Sequence, residues 1–213
     1  RHAFSYCTKL KKFEIQSDLK LIGSHPFTES AIESISIPSS AHSISCNWCN
    51  GASKLKYVKI FPTDRNYINF YNNEFIIEKL NPEKDAYDVL LFAQREIENA
   101  TIPSFIKKIE SYAFENCHNL KNVTFSENSE IQNIYYNAFT RSTLERVSFP
   151  PNLKQIDDDA FISCQKLKFV EFPENSELNS IGRYSFGFTA IENICLPSHL
   201  TRIGPNSFSD CIY

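Results

Sequence analysis

The residues best equipped for chemistry in this chain are its seven cysteines. Cys117, Cys164 and Cys211 recur at a constant interval of 47 residues, with Ser142 and Thr189 between them. Two stacked turns per interval place successive thiols roughly 10 Å apart. That exceeds the ~7 Å Cα separation a disulfide can span, so small, buried, reduced side chains are expected. Cys46 and Cys49 form a lone Cys-x-x-Cys. A zinc site needs a second ligand pair at suitable spacing, and the next cysteine is Cys117. A redox role needs a thioredoxin-like βαβ context, which is missing. Packing is the preferred reading of this pair, ahead of zinc, redox work or a local disulfide. Cys195 falls at an outward strand position and is expected to be exposed.

The five histidines, at 2, 25, 42, 118 and 199, fall in turn regions without helical ligand spacing. Asp157-Asp158-Asp159 is an acidic turn without regularly spaced acceptors, more in keeping with solvation than with cation binding. The sequence contains no Gly-x-Ser-x-Gly, Walker loop or His-Glu-x-x-His. An irregular segment at about 61–95 holds Asp64, Arg65, Glu74, Glu78, Asp85 and Asp88 but neither a nucleophile nor a histidine. Its simplest reading is a degenerate repeat with a longer loop. No nucleophile, base and orienting group assemble, so the expectation is no enzyme, no cofactor and no metal.

The elements that position these residues are repeats. Ala113-Phe114-x-x-Cys117-x-x-Leu120-x-x-Val123-x-Phe125 is matched at Ala160–Phe172 and at Ala3–Ile15. A form one residue shorter follows Phe27, Phe139 and Phe186. Aromatic anchors stand at 4, 27, 48, 92, 114, 139, 161, 186 and 208, with spacings of 23, 21, 44, 22, 25, 22, 25 and 22. Phe70 sits where the long step would place a missing anchor, so about ten repeats of 22–25 residues are expected. The two forms alternate, in keeping with growth by duplication of a two-repeat block. Leu-x-x-Val-x-Phe carries the period-2 pattern of a strand, usually closed by proline. A second aliphatic pair follows, such as Leu178/Ile181, then Gly23, Gly182 or Gly204, a turn position expected to favour positive φ. One unit cannot bury its own apolar side, whereas stacked units can. The expected fold is a single solenoid over residues 1–213, with a parallel sheet on one face and turns on the other. The chain has no Met and begins and ends inside a repeat, so a piece of a longer array is expected.

Composition narrows the partners. With 22 basic and 25 acidic residues the formal net charge is −3, and no basic stripe of a nucleic-acid binder stands out. No run approaches the ~18 apolar residues of a membrane span. The outward strand positions carry seven basic and six acidic residues, a nearly neutral face that disfavours phosphate backbones. Glu98, Lys121, Glu145, Lys168 and Glu192 alternate in sign along one column, preferentially a register-supporting charge ladder. Tyr57, between Lys56 and Lys59, and Phe169, beside Lys168, break the polar pattern and are candidate interface anchors. With Lys121, Arg146 and Glu171 they make up the candidate protein-binding face. Asn99-Ala-Thr101 and Asn122-Val-Thr124 are glycosylation sequons at equivalent positions. Sugars on both would block part of that face.

The pattern Leu-x-x-Val-x-Phe-Pro-x-x-Leu-x-x-Ile-x-x-x-Ala-Phe-x-x-Cys resembles the BspA-type leucine-rich repeat, most clearly over 102–172 and 172–211. The resemblance implies a leucine-rich-repeat solenoid with its sheet on the concave face and turns on the convex face. It also implies surface proteins of anaerobic bacteria and parasitic protozoa that adhere to host proteins or other cells. The function expected from it is a non-enzymatic protein-recognition module at the cell surface or secreted, monomeric as a fragment. The alternative is a cytoplasmic scaffold or regulatory subunit on the same fold.

Overall fold

The computed structural model describes residues 1–15, 19–81 and 83–212. The chain divides into two compact units, 1–95 and 96–213. Among the described residues there is no helix, and both units are built from parallel β turns.

In the N-terminal unit the strands are β1 (Lys12–Glu14), β2 (Leu21–Ile22), β3 (Ser34–Pro38), β4 (Ser43–Ile44), β5 (Tyr57–Phe61), β6 (Ile68–Tyr71), β7 (Phe75–Glu78) and β8 (Val89–Ala93). The longer strands β1, β3 and β5 pair in parallel, with Phe13, Ile35 and Val58 in one inward column. The short strands β2 and β4 form a second parallel ladder. The last three strands depart from the repeat. β6–β7–β8 is an antiparallel meander with a bulge at Ile76/Ile77. Its hairpin turns at Asn72 and Asn73, both at positive φ (50° and 58°), and closes through Glu74 N–H to the Tyr71 carbonyl at 3.0 Å. Tyr71 pairs with Phe75 across this three-residue loop, and asparagine tolerates its two left-handed positions better than most residues. The segment expected as an irregular repeat or insert is thus folded as a hairpin rather than as a longer loop. Phe70 pairs with Ile76 in that hairpin and does not act as an anchor. Trp48 and Phe92 meet directly at 5.5 Å.

In the C-terminal unit the strands are β9 (Asn99–Ile102), β10 (Lys108–Ile109), β11 (Asn122–Phe125), β12 (Asn133–Ile134), β13 (Arg146–Ser148), β14 (Gln155–Ile156), β15 (Phe169–Glu171), β16 (Ser180–Ile181) and β17 (Arg202–Ile203). The longer strands pair in the order β9–β11–β13–β15, aligning Ala100, Val123, Val147 and Val170 as an inward column. A second parallel ladder runs β10–β12–β14–β16–β17 through Ile109, Ile134, Ile156, Ile181 and Ile203. Seven longer strands and the turn at 191–196 give about eight turns. That is close to the expected ten, the difference lying in the hairpin insert.

The anchors form the core. Phe114, Phe139, Phe161 and Phe186 are wholly buried. From Phe114 to Phe208 the rings follow at 4.5, 4.7, 5.1 and 5.3 Å, with interplanar angles of 11° or less. Each ring is flanked by two left-handed residues, two before and two after. Around Phe139 these are Asn137 and Arg141, around Phe161 Asp159 and Ser163, and around Phe186 Tyr184 and Phe188. The alternation turns amides along the stacking direction. Phe161 N–H reaches the Ser185 carbonyl at 2.7 Å, and Ser163 N–H the Gly187 carbonyl at 2.9 Å.

Gly182 and Gly204 are not at positive φ; among the described glycines only Gly51 is, at 69°. They are glycine because the preceding turn lies too close. A Cβ on Gly204 would sit 2.5 Å from the Arg183 backbone nitrogen, and one on Gly182 would overlap the backbone of Asp157 and Asp158. Gly182→Ala is expected to cost about 1–3 kcal/mol, as overpacking does. Gly187→Ala, whose nearest neighbours are at 3.3 Å, is expected to cost less. Urea denaturation of both variants checks this, and equal stabilities would refute the close-approach explanation.

Candidate functional site

Placing strands at the repeat period exposes the predicted residues on the sheet face. In the N-terminal unit Tyr57 and Lys59 project from β5, in register with Ser34 and Ser36 of β3. Lys56, Tyr57 and Lys59 are exposed, with the Tyr57 ring at 47%. Lys12 and Glu14 on β1 form an ion pair at 2.6 Å, and the Lys12 ammonium holds the Glu14 carboxyl below its usual value. A second feature of this unit is a cavity of about 430 Å³, with Lys20, Asp64 and Arg65 among its lining residues.

The C-terminal unit carries the more developed patch. Phe169 on β15 stands in register with Arg146 on β13 and is 50% exposed. The Arg146 guanidinium carbon lies 4.4 Å from the centroid of the Phe169 ring. Glu171 accepts from Arg146 Nη1 at 3.4 Å and from the Ser148 hydroxyl at 2.5 Å. The cation is thus fixed from two sides, by the ring and by the carboxylate. Lys121 pairs with Glu98 at 3.3 Å, whereas Lys168 makes no ion pair among the described residues. The expected charge ladder is therefore realised at one end of its column.

The two sequons stand side by side. Asn122 Nδ2 donates to Asn99 Oδ1 at 2.8 Å, and the Thr101 and Thr124 hydroxyls lie 3.2 Å apart. Asn99, Thr101 and Thr124 are exposed, and Asn122 is half-buried.

None of the seven cysteines is in a disulfide, Cys46 and Cys49 included; Cys46 is exposed and Cys49 buried. Cys195 is exposed, as its column implies. Cys117 and Cys164 are wholly buried. The Cys164 thiol donates to the Phe139 carbonyl at 3.1 Å and meets the Ser142 hydroxyl at 3.4 Å. Cys211 repeats this with the Phe186 carbonyl and Thr189. Burial pushes the Cys164 thiol up to about 12. At pH 8 iodoacetamide is expected to modify Cys46 and Cys195 in the folded protein. Cys164 should react on the order of tenfold or more slowly, because the thiolate is the reactive form. Mass spectrometry before and after unfolding reads this, and equal rates would contradict the burial.

Among the described residues no group of three or more His, Cys, Asp or Glu could hold a metal ion. Asp158 instead accepts the Arg183 N–H at 2.7 Å. Burial, first, and the neighbouring Asp158 raise the Asp157 carboxyl. In the hairpin insert Asp85 pairs with Lys79 at 2.9 Å, and Asp88 accepts the Leu80 N–H at 3.0 Å. No helix among the described residues is long and apolar enough to cross a membrane.

Two features escaped the sequence reading. Gln94 closes the outer edge of β5 with its side-chain amide. It accepts the Val58 N–H at 3.1 Å and donates to the Val58 carbonyl at 2.8 Å. At the other end, residues 191–196, expected as the next strand, form none. Neither has a local signal, since both depend on what lies beside an edge.

Parallel turns with one inward aliphatic column, a second short ladder and a stack of anchor rings define a leucine-rich-repeat solenoid. The chain belongs to the BspA-type leucine-rich-repeat family, whose model matches residues 1–82 and 89–213 in six copies. No curated protein matches it significantly in sequence. Among solved structures, a leucine-rich cell surface protein from Faecalibacterium prausnitzii is similar, with a TM-score of 0.64 and 17% identity. The match covers 99% of this chain and 54% of that one. A leucine-rich-repeat protein from Bacteroides ovatus gives 0.61 and 22%, covering 99% and 55%. The pneumococcal vaccine antigen PcpA gives 0.52 and 21%, covering 94% and 38%. The chain thus spans about half or less of the length of these three.

Proposed function

We propose that this chain is a non-enzymatic protein-recognition module, the repeat region of a cell-surface or secreted adhesin-like protein that binds proteins of host or neighbouring cells. The observation that carries the reading is the exposed Phe169 ring held against Arg146, an aromatic–arginine pair of the kind that anchors protein interfaces. The nearly neutral face favours a protein over a nucleic acid. The names of two structural relatives, a cell surface protein and a vaccine antigen, support the surface location. Surface plasmon resonance over immobilised extracellular-matrix proteins, comparing wild type with Tyr57→Ala and Phe169→Ala, tests it. Weakened binding is expected, and unchanged binding by both variants rules out the sheet face.

Seven cysteines without a disulfide favour a second reading, an intracellular scaffold using the same face. Antibody labelling of intact, unpermeabilised cells separates the two. On the surface reading in a glycosylating host, Asn99 and Asn122 are the expected sugar acceptors. A mass decrease on treatment with an N-glycosidase, lost in Asn99→Gln/Asn122→Gln, is the expected result.

A further inference from the structure

The longer sheet of the C-terminal unit stops at β15, although the chain makes another turn beyond it. That turn is fixed on both sides. Ala190 N–H donates to the Leu167 carbonyl at 3.0 Å, Thr201 N–H donates to the Asn179 carbonyl at 2.9 Å, and the Phe208 ring stacks on Phe186. Between these points no backbone hydrogen bond joins 191–196 to 168–172 among the described residues. A groove of about 270 Å³ opens there instead. β15 and its flanks, from Lys168 to Phe172, form one wall, and Asn193, Ile194 and Cys195 form the other.

Which main-chain groups face the groove follows from the ladder. Phe169 N–H bonds to the Glu145 carbonyl at 3.3 Å, and the Glu171 carbonyl accepts from Phe149 N–H at 2.9 Å, both on the β13 side. Successive residues of a parallel strand bond to opposite sides. The Val170 N–H and C=O, the Lys168 carbonyl and the Phe172 N–H therefore point at the groove. The N-terminal unit shows the alternative. Val58 is the inward residue of β5 in that unit's own ladder, and Gln94 engages both of its outward main-chain groups. An edge satisfied in that way is closed to strand addition; the one at Val170 has no such cover among the described residues.

We propose that this groove receives an extended segment of a protein partner, which pairs with Val170 as an added strand. Main-chain hydrogen bonds would hold the segment, and alternating side chains would select it. Glu171 is already neutralised by Arg146, while Lys168 makes no ion pair among the described residues. The segment chosen is therefore apolar at alternate positions, with a carboxylate opposite Lys168. The proposal rests on the reading that the partner is a protein, and goes further in naming an edge and a mode of binding.

The probe is a fluorescent acetylated Thr-Val-Glu-Val-Thr-Val-Thr peptide, titrated against the full chain by anisotropy. Equal binding by wild type and Cys195→Ser is expected. On the order of tenfold weaker binding is expected for Cys195→Trp, which fills the groove, and for a peptide N-methylated at its glutamate and central threonine, whose amides face β15 when the valines point inward. Hydrogen exchange at the Val170 and Phe172 amides should slow when the peptide is added. Thermal melts establish that the variants are folded. Several outcomes would overturn the proposal: no binding at about 1 mM peptide, indifference to both Cys195→Trp and N-methylation, or protection of the two amides before peptide is present. The last would mean that 191–196 closes onto β15 by itself. None of these depends on Tyr57, so failure here and failure of the matrix-protein experiment can be told apart.

Discussion

Replacing Phe139 by alanine is expected to cost about 3–5 kcal/mol, the range for removing a large buried aromatic side chain. The ring is wholly buried between Phe114 at 4.5 Å and Phe161 at 4.7 Å. Truncation leaves a void with aromatic walls on both sides, and the backbone has little freedom to collapse into it. Phe139 N–H is bonded to the Ala160 carbonyl at 2.7 Å, and the Phe139 carbonyl accepts from the Cys164 thiol. Against a typical total of about 5–15 kcal/mol, this single change is severe. Phe208→Ala, at the half-exposed end of the stack with Phe186 at 5.3 Å, is expected to cost half as much or less. Urea denaturation followed by circular dichroism measures both. A loss below about 1 kcal/mol for Phe139→Ala would mean that the stack contributes little.

Phe169→Ala should do the reverse, sparing the fold and removing binding. The ring is half exposed, so its loss should change stability by no more than about 0.5–1 kcal/mol, the scale of an exposed cation–π contact. For the partner the loss is larger. The ring also holds Arg146 in place, so truncation disorders two anchors at once. An interface hot spot costs about 2 kcal/mol or more on truncation, roughly a 30-fold weakening in Kd. Glu171→Gln should weaken binding less, because Ser148 and the ring still restrain the neighbourhood. Thr101→Ala, on the same face but outside the patch, serves as the control. Comparable losses for Thr101→Ala and Phe169→Ala would show that no localised anchor exists.

Much of this architecture was legible in the repeat. Val123, Val147 and Val170 fall on the inward column, the phenylalanine anchors stack, and Cys117 and Cys164 of the cysteine column are buried, each because the same pattern recurs many times; Cys211, in the last turn, is only half-buried. What was hidden depends on other physics. The short ladder uses two-residue strands such as Gln155–Ile156, too brief for any periodicity to show. Asn72-Asn73 between two apolar runs was a hairpin signal, masked by the assumption that the repeat continued. Gly182 was correctly singled out but for the wrong reason, since close approach by a neighbouring turn leaves no local trace. The left-handed pairs around each ring had a partial signal in Asn116, Asn137, Asp159, Asn206 and Asp210, but Phe188 and Arg141 occupy the same positions. On the candidate face the aromatics were visible as breaks in a polar column. The Arg146–Phe169–Glu171 contacts were not, because they join neighbouring strands at positions more than 20 residues apart.

Trp48 has a practical consequence for any such measurement. It is the chain's single tryptophan, wholly buried against Phe92, and its indole N–H has no hydrogen-bond partner among the described residues. An indole in so apolar a setting should emit at short wavelength and shift to the red when water reaches it. That colour change follows residues 1–95 alone, since the C-terminal unit has no indole to excite. The molecule thus carries a built-in optical label on one of its two units, and the phenylalanine-rich other unit stays dark in that channel.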